Sequence, residues 1–285
     1  MNLSEVLSVM EWPLIACLLL PGLLVYLGMH IVHRGIIFVD LALAQMAALG
    51  ASVAILFGWD AGSVSAYCCS TVFTLMGAVI FTHTRSVDDE RVPQEALIGI
   101  VYVVAAASGM LLLSGTPEGN EELRRSLIGD LLLVSAGQVW RTFALFVSVA
   151  LVHYYFRRQF FAVTFAPERA SNEGISLKRW DFLFYVLFGI VVTSFVQIAG
   201  VLLVFSYLIV PAIAANFLSR RPMAILCIGW ILATVCGVSG LAGSYLWDVP
   251  TGAAIVCSFG LGLGLVMLYA KLNNINALNG SLSST

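Results

Sequence analysis

Charged residues are scarce in this sequence. Asp, Glu, Lys and Arg make up 11% of its 285 residues, whereas a soluble domain contains about a quarter of such residues. The net charge of -2 says nothing about nucleic acid, but no basic tract is present to suggest a nucleic-acid surface, and we expect no nucleic-acid partner. Hydrophobic residues make up 60% of the chain and recur in runs long enough to cross a bilayer. The composition therefore predicts an all-α polytopic membrane protein, because helices satisfy their own backbone hydrogen bonds in lipid.

Several motifs of enzymes and cofactor sites are also missing. The sequence contains no GxxxxGKS or GxxxxGKT loop for nucleotide phosphates, no HExxH zinc motif and no GxSxG nucleophile motif. Its six cysteines all lie in apolar runs, which is not typical of a disulfide framework. We therefore predict that the chain is not an enzyme and holds no resident cofactor.

The apolar runs predict about nine transmembrane helices in a single domain, residues 1–271. The expected spans are 12–29, 36–57, 63–82, 96–114, 139–156, 182–196, 201–218, 223–242 and 252–270. The remaining residues, 272–285, are polar and are expected to be disordered. With the amino terminus outside, eleven of the fourteen Lys and Arg residues fall on one side. The positive-inside rule makes that side cytoplasmic and places the carboxyl terminus there.

Polar residues within a span are candidates for function, because removing them from water is costly. Asp40 and Gln45 lie in the second predicted span, among many alanines and glycines. Small residues allow either close helix contact or room for a passage. One interpretation is a translocation path lined by Asp40 and Gln45. The alternative is a tight helix interface, with Gln45 hydrogen-bonding across it and Asp40 at the helix start. His30, His33 and His153 carry weaker signals, and the first two are expected to be interfacial.

The stretch around Pro211 predicts a second functional element. Proline removes a backbone donor and bends a helix, so a short separate helix is expected to follow it at the cytoplasmic surface. Such a helix could receive force from a soluble partner. The residues assigned to this role are Pro211, Ala212, Ala214, Ala215, Asn216, Arg220 and Arg221. The alternative is an ordinary span with a proline near its end.

Six segments together resemble the permease subunits of the bacterial zinc/manganese/iron ABC transporters. In chain order they read HRGIIFVDLALAQMAALG, EALIGIVYVVAAASGMLLLS, LIGDLLLVS, FAPERASNEGIS, GVLLVFSYLIVPAIAANFL and DVPTGAAIV. The resemblance covers residues 13–271. It implies a type II ABC importer fold, a location in the bacterial inner membrane and a divalent metal as substrate. It also implies three protein partners: a second copy of the chain, a cytoplasmic ATPase dimer and an extracytoplasmic metal-binding protein.

The resemblance also implies that the segment after Pro211 couples to the ATPase, with FAPERASNEG as a second cytoplasmic element near that contact. One position departs from the family pattern. Many members have a histidine four residues after the aspartate, but here residue 44 is Ala and the polar residue is Gln45. In a regular helix, residues five apart point about 140° apart. We therefore expect a π-bulge or a non-helical start between Asp40 and Gln45 that brings both side chains to one face.

The oxygen of Gln45 suits harder ions than zinc, which leaves the identity of the metal open. With the bulge in place, Gln45→His is expected to shift the preference toward zinc. Two other functions stay open at this point. One is an ABC permease for a metal chelate or other small solute. The other is a stand-alone secondary transporter or membrane scaffold.

Overall fold

A computed structural model of the chain describes residues 3–60, 63–84, 93–114, 129 and 131–282. Within these residues, every regular element is a helix. The eleven α-helices are α1 Leu3–Arg34, α2 Val39–Leu56, α3 Val64–Thr84, α4 Gln94–Leu113, α5 Ala136–Tyr155, α6 Arg157–Phe165, α7 Pro167–Asn172, α8 Leu177–Ala199, α9 Val201–Leu218, α10 Pro222–Trp247 and α11 Thr251–Leu282. A single 3-10 turn, Leu131–Leu133, precedes α5.

The number of membrane spans agrees with the sequence. Eight of the described helices are long and apolar enough to cross a membrane. Helices α5 and α6 supply a ninth span if the pair, bent by 75° at the junction, counts as one. The bend lies at Phe156, directly before Arg157 and Arg158, two exposed basic residues of the kind that mark the end of a span. The prediction of an all-helical protein with about nine spans is confirmed.

Helices α1, α2, α8 and α9 are the most buried of the described spans and form the centre of the bundle. In α1, 67% of the span is buried within the protein, whereas only 22% of α4 and 11% of α11 are. Glycine permits the closest of these contacts, because a Cβ on Gly28 of α1 would collide with the carbonyl oxygen of Leu208 on α9. Small residues let membrane helices approach in this way. The outer helices expose many apolar side chains, as is typical of helices that lie in lipid.

Helix α9 continues through Pro211 without a break. The prediction of a separate helix after this proline is therefore wrong. A transmembrane helix tolerates the loss of one backbone donor when neighbouring helices pack around the site. Pro211 is buried, and its carbonyl oxygen lies 3.5 Å from the position of a Cβ on Gly229 in α10. Two further prolines, Pro13 and Pro21, lie inside α1 in the same way.

Two other local expectations differ from the structure. Helix α2 is a regular α-helix from Val39 to Leu56, so the predicted π-bulge, or non-helical start, between Asp40 and Gln45 is wrong. A regular helix satisfies its own backbone hydrogen bonds, and its start is held by a hydrogen bond from the backbone N–H of Phe38 to Glu95 of α4. Helix α11 extends to Leu282, into the segment expected to be a disordered tail. Extending an existing helix is easier than starting one, because each added residue gains a hydrogen bond.

Candidate functional site

Asp40 is the second residue of α2 and lies inside the protein. It is only 2% exposed, and its Oδ1 atom has no hydrogen-bond partner among the residues that the structure describes. The start of a helix carries a partial positive charge from its aligned peptide groups, which favours a carboxylate there. A buried carboxylate oxygen without a partner is nevertheless costly. Asp40 is thus placed to receive a cation or a proton.

Glu95 of α4 reaches the same end of α2. Its Oε1 accepts a hydrogen bond from the backbone N–H of Phe38 at 3.0 Å. Phe38 offers no side-chain cap of its own, so Glu95 supplies the cap that α2 lacks. The other oxygen, Oε2, is buried and has no partner within the described part of the chain. Glu95 was not among the site residues predicted from the sequence. Its position, as an acidic residue at the start of an apolar run, could have indicated a functional side chain.

Asp40 and Glu95 form a pair of carboxylates at the start of α2. Glu95 is an electrostatic neighbour of Asp40, and each residue has one buried oxygen to which no described residue donates. Two like charges close together repel each other unless a cation lies between them, and the partial exposure of Glu95 weakens this repulsion. Among residues 3–60, 63–84, 93–114, 129 and 131–282, no group of three His, Cys, Asp or Glu side chains could hold a metal ion. The pair therefore offers carboxylate oxygens without a third ligand of these types.

Gln45 lies on another face of α2. In a regular helix it points about 140° from Asp40 and about 7.5 Å further along the axis. Ser52 follows seven residues later on almost the same stripe, and its Oγ lies 3.6 Å from the position of a Cβ on Gly109 in α4. At Ser52 this stripe therefore contacts α4. The structure does not bring Asp40 and Gln45 together on one face of α2, and their roles on a translocation path stay predictions.

The stretch assigned to coupling is mostly inside the protein. Asn216 is half-buried, and its side-chain amide donates to the carbonyl oxygen of Ala212 at 3.0 Å. Arg220 and Arg221 are exposed in the turn between α9 and α10. Within the described residues, the other members are buried: Pro211, Ala212, Ala214 and Ala215. The coupling role of this stretch stays a prediction, but a soluble partner could contact only its carboxyl end.

Helix α7 is more accessible. Glu168, Arg169, Ser171 and Asn172 are exposed, while Ala170 is buried and anchors the helix. The chain then turns at Gly174, which has a φ of +80° that other residues rarely adopt. Helix α7 lies in the FAPERASNEG segment, which was expected to be the second cytoplasmic element.

Two predicted cytoplasmic elements lie close together. Phe161 and Phe165 of α6, directly before α7, pack against a small buried cluster that contains Ala215 of α9 and Ile225 of α10. The turn between α9 and α10 and the α6–α7 segment therefore meet at the same end of the bundle. This end also holds the start of α8, which follows α7 after four residues.

Comparisons with known proteins agree with this architecture. The model of the ABC 3 transport family matches residues 6–270. The manganese transport system membrane protein MntC of Halalkalibacterium halodurans is 26% identical over 87% of this chain and 83% of its own length. The high-affinity zinc uptake system membrane protein ZnuB of Haemophilus influenzae is 26% identical over 81% of this chain and 87% of its own. Among solved structures, PsaBC from Streptococcus pneumoniae, in complex with Fab, superposes with a TM-score of 0.77 at 21% identity, covering 92% of this chain and 93% of that one.

Proposed function

Because this chain belongs to the ABC 3 transport family, we propose that it is the permease of an ATP-driven importer that carries a divalent metal ion across the bacterial inner membrane. It is a multi-pass membrane protein with eight or nine spans. Similar proteins transport manganese or zinc. The observation that carries the proposal is the pair of carboxylates formed by the buried Asp40 and the half-buried Glu95, each with a buried oxygen that no described residue satisfies.

Manganese is the proposed substrate in preference to zinc. Carboxylate and carbonyl oxygens suit manganese, whereas zinc favours imidazole and thiolate ligands. Both side chains of the pair offer only oxygen, and the position four residues after Asp40 is Ala44 rather than a histidine. The two carboxylates would hold the ion briefly while the ion loses its bound water. Because they provide few ligands, the ion could then leave on the cytoplasmic side.

The energy for transport would come from a separate ATPase. The sequence contains no GxxxxGKS or GxxxxGKT motif for nucleotide phosphates, and α7 exposes polar side chains on a helix anchored by Ala170. We assign α7 as the main docking element for a cytoplasmic ATPase dimer, with Arg220 and Arg221 at the edge of that contact. A second copy of the chain would complete the path, and an extracytoplasmic binding protein would deliver the metal.

Reconstitution tests this proposal. The chain would be coexpressed with the P-loop ATPase and metal-binding protein of its organism, purified and placed in liposomes, and uptake of radioactive manganese would be measured with ATP, with ADP and with competing zinc. We expect the uptake of radioactive manganese to require ATP. Unlabelled manganese should inhibit this uptake more strongly than zinc does. Uptake that is driven by an ion gradient and indifferent to ATP would identify a secondary transporter instead. The proposal would also be contradicted if no ATPase copurified with the chain.

A further inference from the structure

Arg34 is a buried cation that joins three helices. It is the last residue of α1, and its Nη1 donates to Oδ1 of Asp181 on α8 at 2.8 Å. Its Nε donates to the hydroxyl oxygen of Thr164 on α6 at 3.1 Å. The guanidinium carbon also lies 4.0 Å from the centre of the Phe184 ring. The side chains of Arg34 and Asp181 are each only 2% exposed.

The hydroxyl group of Thr164 is shared with a second residue of α1. Its oxygen lies 2.8 Å from Nδ1 of His30, one turn before Arg34. A hydroxyl group offers one donor and two acceptor sites, so it can serve both side chains at once. The end of α6 is thereby fixed to α1 at two points. Thr164 is itself buried, so water does not compete for these hydrogen bonds.

Stability alone does not account for this cluster. Buried ion pairs add little net stability, because removing both charges from water costs about as much as their attraction returns. An apolar contact would hold the same helices together equally well. A planar guanidinium, however, donates in fixed directions and so sets the relative orientation of its partners. The cluster is suited to keeping three helix ends in register when one of them moves.

The cluster lies between the docking element and the carboxylate pair. Thr164 precedes Pro167, the first residue of α7, by three residues. On the other side, Arg34 is followed by Gly35, with a φ of +68°, and by a turn that leads into α2 at Val39. The same turn contains Phe38, whose N–H is held by Glu95. A short path therefore runs from α7 along the chain to Thr164, through its hydrogen bond to Arg34, and along the turn after Arg34 to the helix start that carries Asp40.

We propose that Arg34 is the positioning residue that transmits movement of the α6–α7 segment to the carboxylate pair at the start of α2. The inference rests on the proposed function, since it assumes an ATPase that docks on α7. When α7 moves, Thr164 moves with it, and Arg34 turns the start of α2 relative to α4. Without the hydrogen bonds of Arg34, the ATPase would still hydrolyse ATP, but hydrolysis would no longer drive transport of the metal.

The test measures the coupling ratio, defined as manganese ions taken up per ATP hydrolysed, in liposomes that contain the complete complex. Thr164→Val removes the hydroxyl group and keeps the side-chain shape, whereas Thr164→Ser keeps the hydroxyl group. Arg34→Lys retains the charge beside Asp181 but cannot donate in two fixed directions. Arg157→Lys is the matched control, because Arg157 is exposed on α6 and lies over the Tyr154 ring rather than in the cluster. Recovery of ATPase with each variant reports assembly.

We expect Thr164→Val and Arg34→Lys to lower the coupling ratio at least about fivefold, the lower range of coupling between distant sites. Assembly and basal ATP hydrolysis should stay within about twofold of the original complex, and Thr164→Ser and Arg157→Lys should retain the ratio. An unchanged ratio in both cluster variants would overturn the inference. Loss of assembly in both would overturn it too, since the cluster would then serve folding alone. An original complex without ATP-dependent uptake would refute the proposed function itself, and this inference with it.

Discussion

Histidine placed at two adjacent positions of α2 distinguishes a regular helix from a bulged one. Ala44 lies four residues after Asp40, about 40° away around the helix, whereas Gln45 lies about 140° away. Side chains four apart have Cβ atoms about 5–6 Å from each other, so a metal can contact both. We therefore expect Ala44→His to create an aspartate–histidine pair that favours zinc, and Gln45→His to leave the metal preference unchanged.

The size of both effects follows from the packing. Ala44 is only 1% exposed, so a buried imidazole should cost about 1–3 kcal/mol through overpacking. A tenfold gain in preference for zinc over manganese corresponds to about 1.4 kcal/mol of binding free energy. Competition between the two metals in the liposome uptake assay measures this preference, and thermal unfolding in detergent measures the packing cost. Ala44→Leu is the control, because it overfills the same space without adding a ligand.

The opposite pattern would refute this reasoning. Suppose that Gln45→His raised the preference for zinc and Ala44→His did not. The first turns of α2 would then have to contain a bulge that brings Gln45, and not Ala44, to the face of Asp40. A shift with Ala44→Leu as large as that with Ala44→His would show that packing, and not an added ligand, changes the preference.

Three further predictions concern the fold, the topology and the docking element. Gly28→Ala should lower the unfolding temperature and the yield of the purified protein, because its Cβ would collide with the Leu208 carbonyl oxygen; an unchanged unfolding temperature would contradict the close contact of α1 and α9. A cysteine at Ser171, in a cysteine-free background, should not react with an impermeant thiol reagent added outside intact cells, whereas one at Asp60 should react, and the reverse pattern would invert the topology. Glu168→Arg on the exposed face of α7 should reduce the amount of ATPase that copurifies by at least about fivefold, through loss of a docking contact; full recovery of the ATPase would move docking elsewhere.

The spans could be predicted from the sequence because bilayer thickness sets their length. Uninterrupted apolar runs that end at polar residues indicated α2, α3 and α4 to within a few residues. The effect of Pro211 was not predictable in this way. Whether a proline breaks a membrane helix depends on what packs around it, and here α10 brings Gly229 against the site.

The residues of the candidate site could be found from the sequence only in part. Asp40 stood out as an acidic residue within an apolar run, but its neighbour Glu95 comes from 55 positions further along the chain. The ion pair of Arg34 with Asp181 joins residues 147 positions apart, and each alone looks like a charge at the end of a span. Long-range pairs of this kind depend on how helices pack, which hydropathy and local spacing do not encode. The sequence suggested Gln45 as the partner of Asp40 because the two residues are close in the chain, whereas the structure places Glu95 beside Asp40.

The most direct test of the account is ATP-dependent manganese uptake by liposomes that contain the complete complex with Asp40→Asn in the permease. Asparagine keeps the size of the side chain and removes the charge that would bind the dehydrated cation, so we expect uptake to fall at least about tenfold, equivalent to about 1.4 kcal/mol. Assembly with the ATPase should be unchanged, and Asp60→Asn, at an exposed acidic residue, should transport normally. Uptake by the Asp40→Asn complex at the rate of the original would contradict the claim that the metal passes this carboxylate.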